Sequence, residues 1–172
     1  MFNRLKSIWP FKRKEKTNTP VCYLICGFIG AGKSTYSKKL ALQTGATHLN
    51  TDEWCMKLFS PEEYQQNWSD CFVKTVEYLW TEAAKEKEKG NSVIFDMGFW
   101  TKQSRKYGIK KATKLGFIPK IHYVYAPDKI LKERISKRGF IWDEQHLQNF
   151  DKIKLNFQKP RFSEKYVKIK NY

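Results

Sequence analysis

The stretch VCYLICGFIGAGKSTYSKKLA, residues 21–41, constrains the fold more than any other part of the chain. VCYLIC is a short apolar run of the kind that forms a strand buried on both faces. GFIGAGKS satisfies the pattern GxxxxGK[ST] in full, and a helical segment can open at Lys33. Strand, glycine loop and helix in that order place the loop at the carboxyl end of a strand in a parallel α/β sheet. Glycines let the backbone curl until successive N–H groups converge, and the positive end of the following helix points to the same spot. That spot suits phosphate. Lys33 is placed to reach the β- and γ-phosphates of a nucleoside triphosphate, Ser34 to enter the shell of Mg²⁺, and Thr35 to touch the α-phosphate. Gly27, Gly30, Ala31, Gly32, Lys33, Ser34 and Thr35 are the expected binding set, with ATP and Mg²⁺ as expected cofactors.

The strand and helix alternation continues downstream. ATHLN reads as a second, weaker strand, and Ser60-Pro61-Glu62-Glu63 as a capping box that starts a helix. Ser69 to Lys89 carries the stripe Phe72, Val76, Leu79, Trp80, Ala83 and stops at Gly90. SVIFD, ending at Asp96, is the next buried strand. A basic helix then runs from Lys102 to Leu115, capped by Thr101 and stopped by Gly116. IHYVYA is a further strand, after which Asp128 caps a helix to Arg138, with Gly139 as its stop. A last helix is expected over Asp143 to Phe157, and YVKIKNY adds a strand. This rhythm predicts a three-layer α/β fold with helices on both faces of a parallel sheet.

At 172 residues the chain suits one domain, here 21–172, with a lid near 134–143. Residues 1–20 read as a basic amphipathic leader: Phe2, Leu5, Ile8 and Trp9 share a helical face ahead of Lys12-Arg13-Lys14. Such a leader fits a poorly ordered tail, an organellar presequence, or peripheral contact of residues 1–16 with an anionic membrane or nucleic acid. The sequence has no transmembrane segment and no secretory signal, so a cytoplasmic address is expected. Cys22 and Cys26 lie on one strand face about 13 Å apart, too far for a disulfide. Cys55 and Cys71 lack a CxxC-like partner, and His48, His122 and His146 are scattered, so all four cysteines read as reduced structural thiols.

The net charge is +16, and no carboxylate falls between Asp96 and Asp128. Lys102, Arg105, Lys106, Lys110, Lys111, Lys114 and Lys120 occupy that interval. The excess favours phosphate-rich partners, although a lysine-rich surface also serves solubility alone.

Further candidates come from strand ends, where ligands of open parallel sheets sit. Asp52, in Thr51-Asp52-Glu53-Trp54, can accept a proton from a hydroxyl as it attacks phosphorus; Glu53 is a weaker choice, and Thr51 or Asp52 also fits a plain helix cap. Asp96 can bind the waters of Mg²⁺ or orient an acceptor. Met97 and Gly98 follow it, where a motor ATPase would place a water-activating glutamate, and this counts against an ATP-driven machine. Arg134 and Arg138 share a helix face and can fold over a triphosphate.

GFIGAGKST, the aspartate of TDEW, VIFDMGFW and ERISKRG, spread over roughly 21–160, together resemble the P-loop kinases grouped with bacteriophage polynucleotide kinase, chloramphenicol phosphotransferase and zeta toxins. The chain looks most like bacterial AAA-type ATP-binding proteins of that group, whose C-terminal signature FQKPRFSE also resembles. The resemblance implies a five-stranded P-loop NTPase sheet in the order 2-3-1-4-5. It also implies Asp52 as general base, Arg138 and Arg134 as lid arginines, and Gly30 to Thr35 as donor loop. The implied activity is transfer of the γ-phosphate of Mg-ATP to a hydroxyl. The basic interval favours a polynucleotide 5′-hydroxyl as acceptor over a small molecule; a zeta toxin-like nucleotide-sugar kinase and a non-catalytic ATP-binding switch or adaptor are the alternatives.

Overall fold

The computed structural model describes residues 19–140 and 142–172, so all but the last two residues of the leader expected over 1–20 lie outside it. Five strands form one parallel sheet: β1 (Val21–Cys26), β2 (Thr47–Asn50), β3 (Val93–Gly98), β4 (Ile118–Tyr125) and β5 (Tyr166–Lys170). Their order is β2-β3-β1-β4-β5. β1 is the middle strand and is covered on both faces: Cys22, Leu24 and Cys26 point to one side, Ile25 to the other.

Helices cover each face. α4 (Trp68–Glu88) and α5 (Lys102–Lys114) pack on the first, where Val76, Leu79, Trp80 and Ala83 meet Phe95, with the Trp80 ring stacked on it at 4.1 Å. α5 comes close because Gly108 has no side chain; a Cβ there would stand 2.7 Å from the Phe99 ring and 3.1 Å from Leu24. On the second face lie α1 (Lys33–Thr44), α6 (Asp128–Arg138) and α8 (Phe150–Lys154), contributing Leu40, Leu131, Ile135 and Phe150. Between β2 and α4 stand two short helices, α2 (Thr51–Leu58) and α3 (Pro61–Gln66), and α7 (Asp143–Gln148) precedes α8. All four cysteines are buried and free.

Most elements follow the sequence reading, including the capping boxes at Ser60 and Thr101. Two local expectations are corrected. The cap of α6 is Pro127, whose carbonyl accepts from Leu131; Asp128 is the first helical residue and pairs with Lys154. The helix expected over Asp143 to Phe157 is broken at Asn149, which leaves helical geometry at φ −106° and ψ 17° while its backbone and side-chain N–H groups both donate to the Gln145 carbonyl. The break turns Phe150 into the core against Phe28.

β1 and β3 hold the site through an irregular register. Ile25 pairs Asp96, but Cys26 pairs Gly98, so Met97 is left out as a bulge. The bulge sits where the glycine loop leaves β1, and Gly27 N–H closes it by donating to Gly98 O at 3.1 Å. Among the described residues no helix is long and apolar enough to cross a membrane.

Candidate active site

The loop from Gly27 to Ser34 curls at the carboxyl end of β1 as its glycines permit. Gly30 and Gly32 take φ of 77° and 84°, and Ala31 N–H turns back to Phe28 O. A Cβ at Gly27 would lie 2.6 Å from Val124 O, so only glycine lets β4 pass this near. Lys33 opens α1, and its ammonium donates to Phe28 O at 3.1 Å. The protein around that ammonium pushes its pKa below the ordinary lysine value, against the pull of Asp96 and then Asp52. A positive charge held in such a place favours an anion as its missing partner. Ser34 and Thr35 follow on the exposed side of the first turn.

Asp96 is buried at the end of β3. Burial alone would raise its pKa, but His48, Lys33 and the Ser34 hydroxyl outweigh that and hold it below the ordinary value. Its Oδ2 accepts from Asn50 Nδ2 at 2.9 Å and faces His48 Nε2 at 3.3 Å, and Asn50 Nδ2 also reaches Ser34 Oγ at 3.5 Å. An ionised carboxylate beside a hydroxyl is an all-oxygen donor set of the kind Mg²⁺ takes. Ser34 and Asp96 are the residues that could hold such an ion.

Asp52 is the second residue of α2 and is exposed. The Asn50 side chain caps this helix by accepting from Glu53 N–H at 2.9 Å, so neither Thr51 nor Asp52 has the capping role. Protein crowding on the inner side of Asp52 raises its pKa, Lys33 opposes the rise, and Asp96 adds to it. Glu53 turns away to pair with Lys38 at 3.5 Å.

The two arginines of α6 behave differently. Arg134 Nη1 meets the loop itself, at 3.4 Å from Gly30 O and 3.5 Å from Ala31 O. Arg138 is held by Asp143: its Nε donates to Oδ1 and Oδ2 at 3.0 and 3.2 Å, and its Nη2 also meets Oδ1. The charge of Arg138 nonetheless bears on both Lys33 and Asp52.

A family model described as an AAA domain matches residues 23–160. The chain belongs to that family. Its fold is that of P-loop kinases, as solved structures show. A sugar kinase from Janibacter sp. HTCC2649 superposes with a TM-score of 0.64 at 16% identity, covering 88% of this chain and 85% of that one. A gluconokinase from Sinorhizobium meliloti 1021 gives 0.63 at 15%, covering 88% and 83%. A chain of the Pnkp1/Rnl/Hen1 RNA repair complex gives 0.60 at 18%, covering 81% and 47%. No curated protein sequence matches the chain.

This AAA-domain chain also uses residues that the sequence reading passed over. His48 and Asn50 share a face of β2, two apart, and Asn50 pairs with Asp96 across the sheet. Trp100 covers Gly98: a Cβ on that glycine would stand 2.9 Å from the indole Nε1 and 3.8 Å from Lys33 Cε. Arg105 was counted with the surface charge but is buried, its Nε and Nη2 bonded to Glu164 at 2.7 and 3.1 Å. Its Nη1 donates to Phe99 O at 3.1 Å, Trp100 O at 3.3 Å and Gln158 O at 2.8 Å. Gln158 and Glu164 belong to FQKPRFSE, so that signature anchors the turn that follows β3.

Proposed function

We propose that this chain is an ATP- and Mg²⁺-dependent phosphotransferase that acts on a hydroxyl group. The observation that carries this reading is the charge coupling of Lys33, after β1, and Asp52, after β2, across the end of β3 that bears Asp96, with Met97 and Gly98 after Asp96 where a water-activating carboxylate would stand. Asp52 takes the acceptor proton as the acceptor oxygen bonds to the γ-phosphorus and the bond to the ADP oxygen breaks. Lys33 and the loop N–H groups balance the charge that develops on the transferred group. Bound Mg²⁺ would neutralise phosphate charge, held by Ser34 and by Asp96 through water. Arg138 joins the phosphates once released from Asp143.

The acceptor we infer is anionic, first a polynucleotide 5′-hydroxyl. Lys102, Lys106, Lys110 and Lys114 are exposed along α5. A cavity of about 390 Å³ at its start is lined by Lys102, Lys159 and Arg161, with Arg105 and Glu164 already paired to each other. The alternative of a non-catalytic switch draws on the hold of Asp143 on Arg138.

The test is ATP turnover against a panel of 5′-hydroxyl oligonucleotides, sugars and nucleotide sugars. Asp52→Asn is expected to lower kcat by roughly a hundredfold or more while ATP still binds. Full activity in that variant rules out Asp52 as the base, and ATP binding without transfer to any acceptor supports the switch. Oligonucleotide binding that weakens steeply with salt supports the polynucleotide acceptor, whereas salt-insensitive transfer to a neutral sugar overturns it.

A further inference from the structure

β5 ends at Lys170, and Asn171 continues its ladder by one bond, donating its backbone N–H to Tyr125 O at 2.9 Å. From there its side chain reaches across to the glycine loop, and Nδ2 donates to Ala31 O at 2.7 Å. The fit is close. A Cβ on Gly32 would stand 2.1 Å from that nitrogen, so Gly32 answers two demands, its φ of 84° and the room for Asn171. Arg134 Nη1 approaches the same carbonyl from α6 at 3.5 Å.

In a trans peptide the carbonyl and the following N–H point in opposite directions. Holding Ala31 O toward Asn171 therefore turns Gly32 N–H to the opposite side of the peptide. Among the described residues that N–H donates to no protein acceptor. It is a donor kept in reserve.

We propose that Asn171 is a positioning residue of the phosphate loop. It fixes the 31–32 peptide so that Gly32 N–H meets a phosphate of the bound nucleotide. Strand β5 thereby sets the phosphate affinity of a loop some 140 positions earlier in the chain. Arg134 supports the same peptide and is the weaker of the two holds by distance. The inference rests on the reading of the loop as a triphosphate site. It is distinct from a contact with the base, which would leave binding of a bare polyphosphate untouched.

The experiment is calorimetric titration of the full chain with inorganic tripolyphosphate and, separately, with ATP. It compares the unaltered protein with Asn171→Leu, which keeps the bulk without the donor, and Asn171→Ala, which adds no new bulk should leucine disturb folding. Thermal unfolding without ligand is read alongside. Both ligands are expected to lose affinity by the same factor, about tenfold, the scale of one net hydrogen bond, with the unliganded Tm unchanged. Asn171→Gln, which restores a donor on a longer arm, is expected to regain part of the loss. A loss for ATP but not tripolyphosphate overturns the proposal in favour of base recognition. Unchanged affinity with a lowered Tm overturns it in favour of a plain strand anchor. If the unaltered protein binds neither ligand, the triphosphate reading itself falls, and this inference with it.

Discussion

Asp52 and Asp96 follow adjacent strands, and their surroundings push them in opposite directions. Asp96 is buried but surrounded by donors and a cation, and its pKa is lowered; Asp52 is crowded, with no hydrogen bond among the described residues to offset the crowding, and its pKa is raised. One carboxylate is thus kept charged and the other left more basic, the division that the proposed roles of metal ligand and proton acceptor require. The pH dependence of phosphotransfer follows. A base works ionised, so kcat/KM is expected to fall on acidification along a limb lying above the 3.8 of an ordinary aspartate. Profiles from pH 4 to 8 check this, and a flat profile over that range would mean that no carboxylate of raised pKa serves as base. The placement of Lys33, Ser34 and Asp96 at strand ends was legible in the sequence because a local motif or a strand end marks each. His48, Asn50 and Asn171 were not, because their contacts arise from register between strands far apart in the chain. Asn50 meets Asp96 over 46 positions and Asn171 meets Ala31 over 140.

Helices and strands whose signals are local were read with errors of up to three residues, the largest at β4, which begins at Ile118 rather than Ile121, since caps and glycine stops act within a single turn. The function of α5 was not local. Its lysines face outward as expected, but Arg105, one helical turn from the start, points inward and ties the helix to Phe99, Trp100, Gln158 and Glu164. Phe99 has a φ of 41°, an uncommon value for a residue with a side chain, and its carbonyl receives both Arg105 and the Cys26 thiol. The guanidinium thus holds a strained turn directly after the strand that bears Asp96. Arg105→Ala removes the cation paired with Glu164 and one donor from each of the Phe99, Trp100 and Gln158 carbonyls, and should cost about 3–5 kcal/mol. Arg105→Lys keeps the charge but loses the fork, so it too should destabilise the protein. Urea unfolding at neutral pH measures both. A loss below about 1 kcal/mol in the alanine variant would mean that the pair behaves like a solvated surface bridge.

At the scale of the whole molecule, a net charge of +16 makes acidification doubly unfavourable, since each added proton raises the self-repulsion of an already positive chain. One buried group dominates the first part of that response. His122 on β4 lies against Tyr23, meets the Tyr36 hydroxyl through Nδ1 at 2.7 Å, which accepts when the neutral ring carries its proton on Nε2, and is nearly enclosed. Burial, helped by the Lys120 charge, pushes its pKa down to about 4 from an ordinary 6.5. The unfolded chain therefore takes up this proton first, and stability is lost as pH falls from 6.5 toward 4. His146, also lowered, acts in the same direction, and Asp52, raised, acts in the opposite one. Glu86, held near 2, and the lowered Asp143 and Glu164 begin to lose their stabilisation only as pH drops into the ordinary carboxylate range. The upper window thus belongs chiefly to His122, whose contribution is on the order of 3 kcal/mol once protonation is forced. Replacing it with glutamine, which can still accept from Tyr36 but cannot titrate, should flatten the fall in urea-unfolding free energy between pH 6.5 and 4.5. An unchanged slope in His122→Gln would transfer the acid sensitivity to His146 and to the general repulsion of the positive surface.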